Sequence, residues 1–359
     1  SFFLSECAEL NVFLMGTGLV GSHLLNQIAG QQEKLMNDNH LRIRLAGLAN
    51  VQKMHFDREG IDVNHWMSQL EKSEEATSVK EFIEKMISMN LYNSVFVDCT
   101  ASPEVAEAYH NILGSNISIV AANKIAASSP YSNYLKLKQT AKRKGIKFLF
   151  ETNVGAGLPI INTLNDLVYS GDKIQKIEAV LTGTLNFIFN TISSEIPLSK
   201  AIRMAKEAGY TEPDPRVDLS GTDVVRKLLI LARESGYVLD FGDIQINSFI
   251  PEEYFKGNLE DFWKKIPELD ASFEERRKVL AANNRKWRFV ATFEKNNPRV
   301  GLQEIDARHP FFDLEGSNNL IIYRTERYNE FPMLIKGYGA GAAVTAAGVF
   351  ADLIKVSNI

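Results

Sequence analysis

The stretch NVFLMGTGLVG, from Asn11 to Gly21, decides the fold of the first part of the chain. A short apolar strand ends at Gly16, and Gly16, Gly18 and Gly21 form the pattern G-x-G-x-x-G at the start of a helix. In dinucleotide-binding folds these glycines allow a tight turn, close approach of the backbone to a pyrophosphate, and close helix–strand packing. The helix N-terminus offers unpaired N–H groups to the phosphates. We therefore expect the turn to bind NADP or NAD through Gly16, Thr17, Gly18, Leu19, Val20 and Gly21.

Short strands alternate with helical stretches through the first 150 residues. After the glycine turn, strands are predicted at 43–49, 94–98, 117–121 and 147–151, and helices at 79–89 and 131–144. Strands separated by helices pair in parallel through right-handed crossovers. The pattern predicts an α/β fold whose first domain is a Rossmann-type doubly wound parallel sheet.

The alternation stops after Pro159. Helices are predicted to about residue 169, at 198–208 and at 222–234, and strands at 176–181, 287–293, 300–304 and 320–323. This order is typical of an α+β domain, which we expect to bind the substrate. The stretch 333–355 is rich in glycine and alanine and predicts a tight turn followed by a helix packed on the first domain. The expected domains are 1–152 with 335–359, and 153–334.

Composition limits the kinds of ligand. Hydrophobic residues make up 45% and charged residues 23% of the 359 residues, and the net charge is −4. No apolar run approaches the roughly 18 residues of a membrane helix, and no basic field favours nucleic acid. Small molecules are the expected ligands. The two cysteines favour a reducing cytoplasm, and a start at Ser1 rather than Met suggests a longer gene product.

The end of the second predicted strand bears on the choice of nucleotide. Folds that prefer NAD place Asp or Glu about 20 residues after the glycine turn, where it holds the ribose 2′-hydroxyl. This strand instead ends at Asn50, without an acid and with Lys53 nearby. Because nothing there repels a 2′-phosphate, we expect Asn50 to contact the nucleotide and NADP to be accepted alongside NAD.

Cys99 follows the third predicted strand, on the edge where ligands of open α/β sheets bind. A thiol nucleophile there would need a histidine base or another means of lowering its pKa, and the six histidines offer no obvious partner. We expect Cys99 to be a small residue that lines the cofactor pocket beside Thr100.

The most informative stretch of the second domain is GYTEPDPRVDLSGTDVVRKLLIL, residues 209–231. Its two prolines, Pro213 and Pro215, fix their own φ angles and bias Glu212 and Asp214 toward extended conformations. The sequence therefore predicts a stiff loop that presents two carboxylates.

A helix is predicted to follow this loop from Thr222, because Ser220 and Asp223 have the spacing of an N-cap and its N3 acid. Asp223 and Lys227 lie four residues apart on one helix face. A surface pair would contribute only about 0.3–0.5 kcal/mol. The helix is mostly apolar, however, so we expect Lys227 to be partly buried, paired, and suited to protonating or polarising a carbonyl oxygen.

A second lysine, Lys124, comes directly after the strand predicted at 117–121, at the ligand-binding edge of the sheet. A nucleotide fold, two such lysines and an acidic loop together indicate reduction of a carbonyl in a substrate that carries an ammonium group.

These motifs resemble the homoserine dehydrogenases over essentially the whole chain. The matching segments are Gly16–Gly21, Asn123–Lys124, Glu151–Pro159 (ETNVGAGLP), Gly183–Leu185, Gly209–Arg216, Asp223 with Arg226 and Lys227, and Gly339–Gly341. The resemblance implies NADP- or NAD-dependent interconversion of L-aspartate 4-semialdehyde and L-homoserine, in threonine, methionine and isoleucine biosynthesis. It is strongest with the C-terminal part of bifunctional aspartokinase–homoserine dehydrogenases, which implies a fused kinase domain and a homodimer formed through the substrate domain.

The resemblance also implies roles for the substrate-site residues. Lys227 would donate the proton to the aldehyde oxygen, and Asp223 would help position the substrate. Glu212 would bind the substrate amino group. The other implied substrate-binding residues are Thr184, Tyr210 and Asp218.

For the cofactor, the resemblance implies that Lys124 lies between cofactor and substrate. Family members often have a second lysine at the next position, where this chain has Ile125. Dinucleotide contacts are further implied for Thr100, Gly209 and Gly341. A monovalent cation, sodium or potassium, would be bound by Glu151, Val154, Ala156 and Leu158.

Two other functions remain to be distinguished. One is another Rossmann dehydrogenase of amino-acid metabolism, such as a phosphorylating aspartate-semialdehyde dehydrogenase, which would need Cys99 as its nucleophile. The other is a nucleotide-binding regulator without catalysis. The intact Asp223–Lys227 pair and Glu212 argue against the second.

Overall fold

The computed structural model describes residues 7–357, and Ser1, from which we expected a longer gene product, lies outside them. Two compact units divide the chain. The first unit contains the residues up to 159 and those from 341 onward, and the second unit contains residues 160–340.

The first unit is built on a six-stranded sheet of order β3-β2-β1-β4-β5-β6. Its strands are β1 Ala8–Met15, β2 Leu41–Ala49, β3 Met54–Phe56, β4 Ser94–Asp98, β5 Ser118–Ala121 and β6 Phe148–Leu149. Its helices are α1 Leu19–Asn39, α2 Trp66–Lys72, α3 Val79–Met89, α4 Pro103–Glu107, α5 Tyr109–Gly114, α6 Tyr131–Lys144 and, from the C-terminal end, α14 Ala342–Val356.

All pairs in this sheet are parallel except β2–β3. The strand order reverses between β1 and β4, so the predicted doubly wound sheet is confirmed. The last predicted strand is shorter than expected, because the chain leaves the sheet after Leu149 and Glu151–Asn153 form a 3-10 turn. Helix α14 packs against α1, as predicted for the C-terminal helix.

The second unit contains a mixed sheet of order β12-β11-β7-β9-β10-β8. Its strands are β7 Ile174–Val180, β8 Gln245–Asn247, β9 Arg285–Glu294, β10 Asn297–Asp306, β11 Asn318–Thr325 and β12 Met333–Tyr338. Its helices are α7 Ile161–Tyr169, α8 Gly183–Thr191, α9 Leu198–Glu207, α10 Arg216–Leu219, α11 Thr222–Glu234, α12 Leu259–Lys265 and α13 Asp270–Ala282.

Every strand pair here is antiparallel except β8–β10, which confirms the α+β prediction. One local prediction was wrong: Met333–Tyr338 is an edge strand paired with β11, not part of a turn. Its glycines suggested a turn, but the hydrogen bonds of β11 outweigh that local preference.

No helix within residues 7–357 has the length and hydrophobicity required to cross a bilayer.

The start of α11 also differs from prediction. The helix begins at Thr222 as expected, but its N-cap is Gly221 in the left-handed region at φ +72°, and Ser220 instead follows α10. A Cβ on Gly221 would lie 2.7 Å from the ring of Phe289. Glycine is therefore required both by the backbone conformation and by the packing of β9 against this turn.

Candidate active site

A cavity of about 950 Å³ opens in the first unit where β1 and β4 end. Ligands of open α/β sheets bind at this edge. Five of the predicted cofactor residues line the cavity, namely Gly16, Thr17, Gly18, Asn50 and Thr100.

The glycine turn is shaped by close backbone contacts. Gly16 has φ +97°, and a Cβ there would lie 2.7 Å from the Cys99 carbonyl oxygen. A Cβ on Gly21 would lie 2.0 Å from the Gly16 carbonyl oxygen, so Gly21 permits the turn to pack on its own helix. Gly18 has open space around it and is the N-cap of α1. This leaves the helix N-terminus accessible to a phosphate group.

The remaining residues of the turn do not line the cavity. Leu19 is 77% exposed at the first position of α1, and Val20 packs on the hydrophobic core. Together with Gly21 they shape the turn, and their predicted contact with the dinucleotide remains a prediction.

Asn50 and Val51, which follow the end of β2, line the cavity without a charged side chain. The Asn50 side-chain oxygen accepts hydrogen bonds from the backbone N–H groups of Gln52 and Lys53, each at 2.7 Å. The Lys53 ammonium donates to the Glu71 carbonyl oxygen at 2.5 Å and does not line the cavity. Lys53, the basic residue near Asn50 in the sequence, is therefore engaged elsewhere.

Sequence reasoning missed part of the lining of this cavity. The missed residues include Val51, Thr77, Ser78, Val79, Ser102, Glu104 and Val105. Ser78 caps α3 by accepting a hydrogen bond from the Glu81 N–H, and the spacing of these two residues could have located the start of that helix. Only the fold brings Ser78 to the same cavity as the glycine turn.

Cys99 lines the cavity beside Thr100, as predicted. Burial raises the pKa of its thiol far above the ordinary value, and the neighbouring Asp98 carboxylate raises it further. The thiol is therefore protonated at neutral pH and is a poor nucleophile.

Three further cofactor-site predictions fall elsewhere. Lys124 is half-buried in the loop after β5 and does not line the cavity. Gly341 is the N-cap of α14 in the first unit, with φ +129°. Gly209 lies in the second unit, at φ +75° after α9.

Lys227, the predicted proton donor, lies on α11 in the second unit. Only 9% of the residue is exposed. Its ammonium donates to the Leu181 carbonyl oxygen at 2.7 Å and pairs with Asp223 Oδ2 at 2.7 Å, whereas the Asp223 side chain is 48% exposed. The predicted burial and pairing are confirmed. Within residues 7–357 these two acceptors use two of the three ammonium hydrogens.

The acidic loop, which follows α9 and contains Glu212 and Asp214, is connected by hydrogen bonds to the N-terminus of α8 through Asp218. The Thr184 hydroxyl contacts the Tyr210 carbonyl oxygen and also lies 3.1 Å from Asp218 Oδ1. Asp218 Oδ2 accepts a hydrogen bond from the Glu212 N–H at 2.9 Å. Burial raises the pKa of Asp218, and these hydrogen bonds oppose that effect. Four of the five predicted substrate-binding residues, Thr184, Tyr210, Glu212 and Asp218, are thus brought together, and Glu212 stays exposed.

The second carboxylate of the loop has a structural partner. Asp214 accepts hydrogen bonds from Arg216 Nε at 3.0 Å and Nη2 at 2.6 Å, which lower the pKa of Asp214. Arg216 also donates to the carbonyl oxygens of Phe255 and Gly257. Of the two predicted carboxylates, Glu212 is the one left to a ligand.

The predicted cation ligands lie on one turn of the first unit. Gly155 and Ala156 have φ +75° and +53°, so two successive residues adopt the left-handed backbone conformation. Within residues 7–357 no group donates a hydrogen bond to the carbonyl oxygens of Val154, Ala156 or Leu158. Val154, Ala156 and Glu151 are at most 5% exposed. Buried carbonyls without donors beside a buried carboxylate suit a hard monovalent cation, whereas no cluster of His, Cys, Asp and Glu suited to a metal ion is found among the described residues.

Two family models match the chain. Residues 16–151 match the NAD-binding domain of homoserine dehydrogenase, and residues 159–354 match homoserine dehydrogenase itself. A bifunctional aspartokinase/homoserine dehydrogenase 2 of Zea mays is 39% identical over 99% of this chain. The chain spans only 39% of that relative's length. A homoserine dehydrogenase of Schizosaccharomyces pombe is 36% identical, and the match covers 98% of this chain and 96% of the relative.

Solved structures agree with these sequence matches. A Candida auris protein of unknown function has a TM-score of 0.90 and 32% identity, with 98% of this chain and 99% of that chain covered. A hyperthermophilic archaeal homoserine dehydrogenase in complex with NADPH has a TM-score of 0.75 and 26% identity, with 98% of both chains covered. The chain belongs to the homoserine dehydrogenase family.

Proposed function

We propose that this chain catalyses the homoserine dehydrogenase reaction, reducing the aldehyde of L-aspartate 4-semialdehyde to the alcohol of L-homoserine with NADPH or NADH, and the reverse oxidation. The observation that carries the proposal is the buried Lys227 ammonium, held by Leu181 and Asp223. This geometry leaves one N–H for a substrate oxygen at a fixed position. The family membership of both units supports the same reaction.

The acidic loop would bind the substrate. Glu212 would pair with the substrate ammonium group, because its carboxylate is exposed while Asp214 is engaged by Arg216. Thr184 and Asp218 hold the loop to the N-terminus of α8, which begins two residues after Leu181, the acceptor of the Lys227 hydrogen bond. Tyr210 adds rigidity, since its ring packs 4.6 Å from the ring of Phe187.

The bound nicotinamide would supply or accept the hydride. In the reductive direction Lys227 gives a proton to the aldehyde oxygen as the carbon receives the hydride, so the carbonyl becomes an alcohol. Asp223 stabilises the ammonium before the transfer, and its half-exposed carboxylate connects Lys227 to solvent for reprotonation. In the oxidative direction the same proton transfer runs in reverse, from the substrate hydroxyl to Lys227. Lys124 would lie between cofactor and substrate.

For the nucleotide, we propose that both NADPH and NADH are used. The cavity wall at Asn50 carries neither the acid that would repel a 2′-phosphate nor a basic side chain that would require one. Thr100, Gly209 and Gly341 would complete the dinucleotide contacts. The NADPH complex of the archaeal relative supports the phosphorylated form.

A sodium or potassium ion bound by Glu151, Val154, Ala156 and Leu158 would hold this turn in shape. Glu151 is itself positioned from α14, because its N–H donates to the buried Asp352 carboxylate at 3.0 Å. The cation would act structurally, satisfying the carbonyl oxygens of Val154, Ala156 and Leu158.

The assembly is proposed to be a cytoplasmic homodimer formed through the second unit. The exposed Leu334 and Tyr338 on edge strand β12 support association through this sheet. A fused aspartokinase is supported by the Zea mays relative, whereas the Schizosaccharomyces pombe relative matches along nearly its whole length. Sedimentation of the purified protein, the mass of the native gene product and cell fractionation test these three statements.

The decisive experiment follows reduced-nicotinamide absorbance with aspartate semialdehyde, in the presence and absence of phosphate. Consumption of NADPH or NADH without phosphate, matched by formation of homoserine, is expected. Phosphate-dependent formation of reduced nicotinamide that is lost in Cys99→Ala would instead identify a phosphorylating aldehyde dehydrogenase. Nucleotide binding without turnover of either kind would identify a regulator.

A further inference from the structure

Asp98, the last residue of β4, is a fully buried carboxylate that the proposed chemistry does not use. Its Oδ1 accepts hydrogen bonds from the Thr100 N–H and hydroxyl at 2.8 and 2.7 Å. Its Oδ2 accepts them from the Tyr109 hydroxyl at 2.7 Å and from Asn123 Nδ2 at 3.0 Å. Within residues 7–357 no basic side chain pairs with it. Four uncharged hydrogen-bond donors therefore take the place that water or a positively charged side chain would have around an exposed carboxylate.

The ionised form fits this environment. The Thr100 backbone N–H and the Asn123 amide N–H can only donate, so each carboxylate oxygen must accept. Burial raises the pKa of Asp98, and the hydrogen bonds from Tyr109, Thr100 and Asn123 act in the opposite direction. Burying a charge is costly unless it is fully hydrogen-bonded. A hydrophobic residue would fill the same space without that cost, which suggests a role beyond packing.

The donors connect two loops at the cavity. Thr100 lines the cavity directly. Asn123 Nδ2 also donates to the Ser102 carbonyl oxygen at 3.0 Å, and its Oδ1 accepts a hydrogen bond from the Ile125 N–H at 3.0 Å. Asn123 thus joins the loop after β4 to the loop after β5, which contains Lys124. Both loops depend on the same carboxylate.

We propose that Asp98 is a positioning residue for the dinucleotide site: through Thr100 and Asn123 it holds residues 99–102 and 123–125 in the shape that binds the cofactor. Asp98 itself does not contact the cofactor or the substrate. The inference rests on the proposed function only in taking NADPH as the ligand of this cavity, and its tests measure binding rather than turnover.

The first test is Asp98→Asn, which keeps the shape and replaces one oxygen by an NH₂ group. On the Thr100 side that group would face a backbone N–H that cannot turn away. On the other side it faces the Tyr109 hydroxyl, which can rotate, and Asn123, whose amide is fixed by Ser102 and Ile125. We expect the bond to Asn123 to be lost and the NADPH Kd, measured by fluorescence titration, to rise about 10- to 100-fold, the range found for outer hydrogen-bond partners of metal ligands.

Two further variants separate positioning from packing. Tyr109→Phe removes a donor from the same carboxylate oxygen but does not disturb either loop, so the NADPH Kd should stay within about threefold of wild type despite a lower melting temperature. Asn123→Ala should reproduce the effect of Asp98→Asn. The double variant should bind NADPH no more weakly than either single variant, because both remove the same connection.

An Asp98→Asn protein with the NADPH affinity of Tyr109→Phe would overturn the proposal, as would additive effects in the double variant. If Asp98→Asn does not fold, Asn123→Ala decides: weaker NADPH binding supports the proposal, and unchanged binding overturns it. Wild-type protein that binds NADPH without dehydrogenase activity would overturn the proposed function and leave this inference standing.

Discussion

At the residue scale, the ammonium of Lys227 is bound on two sides and buried, which gives it one defined direction for proton transfer. Lys227→Ala should lower kcat by about 10²- to 10⁴-fold, the usual contribution of a general acid, with little change in NADPH affinity. Lys264→Ala is the matched control, because Lys264 also pairs with an acid four residues away, Glu260 at 2.8 Å, but is 69% exposed. Steady-state kinetics in both directions give the comparison. A Lys227→Ala enzyme that retains most of its kcat would refute the proposed proton transfer.

Glu212 provides the second test at this scale. An ion pair with the substrate ammonium is present in both the ground state and the transition state, so Glu212→Gln should raise KM for the semialdehyde more than it lowers kcat. The exposed Glu207, at the end of α9, provides a control substitution to Gln. Equal kinetics for the Glu212 and Glu207 variants would remove Glu212 from the substrate site.

Asn50 tests the nucleotide assignment. Asn50→Asp introduces a carboxylate, which would accept a hydrogen bond from the ribose 2′-hydroxyl of NADH and repel the 2′-phosphate of NADPH. We expect the ratio of kcat/KM for NADPH to that for NADH to fall, mainly through the NADPH KM. Ser78→Asp, which also introduces an acid on the cavity wall, shows whether position matters. An unchanged ratio in Asn50→Asp would place the 2′-phosphate elsewhere.

At the scale of elements, α14 packs on the proposed cation turn through Gly348. A Cβ on Gly348 would lie 2.6 Å from Thr152 Cγ2, 3.0 Å from Gly157 Cα and 3.2 Å from the Ala156 carbonyl oxygen. Gly348→Ala should therefore displace the turn, destabilise the protein by about 1–3 kcal/mol as an overpacked substitution, and weaken any stabilisation by sodium or potassium.

The measurement is the melting temperature in potassium, sodium or a bulky organic cation at matched ionic strength. Gly30→Ala on α1 is the control, because a Cβ there meets nothing within 4 Å; the change should be neutral or stabilising by up to about 1 kcal/mol. Wild-type protein whose melting temperature is the same in all three salts would contradict the cation assignment.

At the scale of the whole molecule, two carboxylates of the second unit should make stability depend on acid. Burial raises the pKa of Asp172, but hydrogen bonds from the Thr325 hydroxyl and two backbone N–H groups outweigh it and leave the pKa below its ordinary 3.8. The pKa of Glu178 is likewise below its ordinary 4.5, because His309 and Lys176 outweigh the effect of burial. A carboxylate with a lowered pKa stabilises the fold above its unfolded-state pKa, and that contribution is lost as the pH falls through the folded-state pKa.

Unfolding free energy should therefore fall below about pH 5, and Asp172→Asn should lower it at neutral pH and flatten this dependence. Urea unfolding followed by tryptophan fluorescence suits the test, since buried Trp287 lies on β9 of the same unit. Asp38→Asn, at an exposed position on α1, is the control. An Asp172→Asn protein with the acid dependence of wild type would contradict this account.

Much of the fold was predictable because its signals are local. Helices α3, α6 and α11 and strand β4 have the bounds predicted from the sequence, since apolar periodicity depends only on neighbouring residues. The glycine turn and the Asp223–Lys227 pair were predictable for the same reason: one depends on backbone freedom within six residues, the other on the helical repeat.

The sequence by itself determined which residue types could perform the chemistry and where along the chain they lie; only the tertiary structure decided which of them meet. It directed the Lys53 ammonium to the Glu71 carbonyl oxygen and bound Arg216, the partner of Asp214, to the carbonyl oxygens of Phe255 and Gly257. It placed Gly221 against Phe289 and joined Asp98 to Asn123, 25 residues away. Each of these contacts depends on strands and loops distant in sequence, and the free energy of burying and hydrogen-bonding such groups is fixed only when the distant partner is in place.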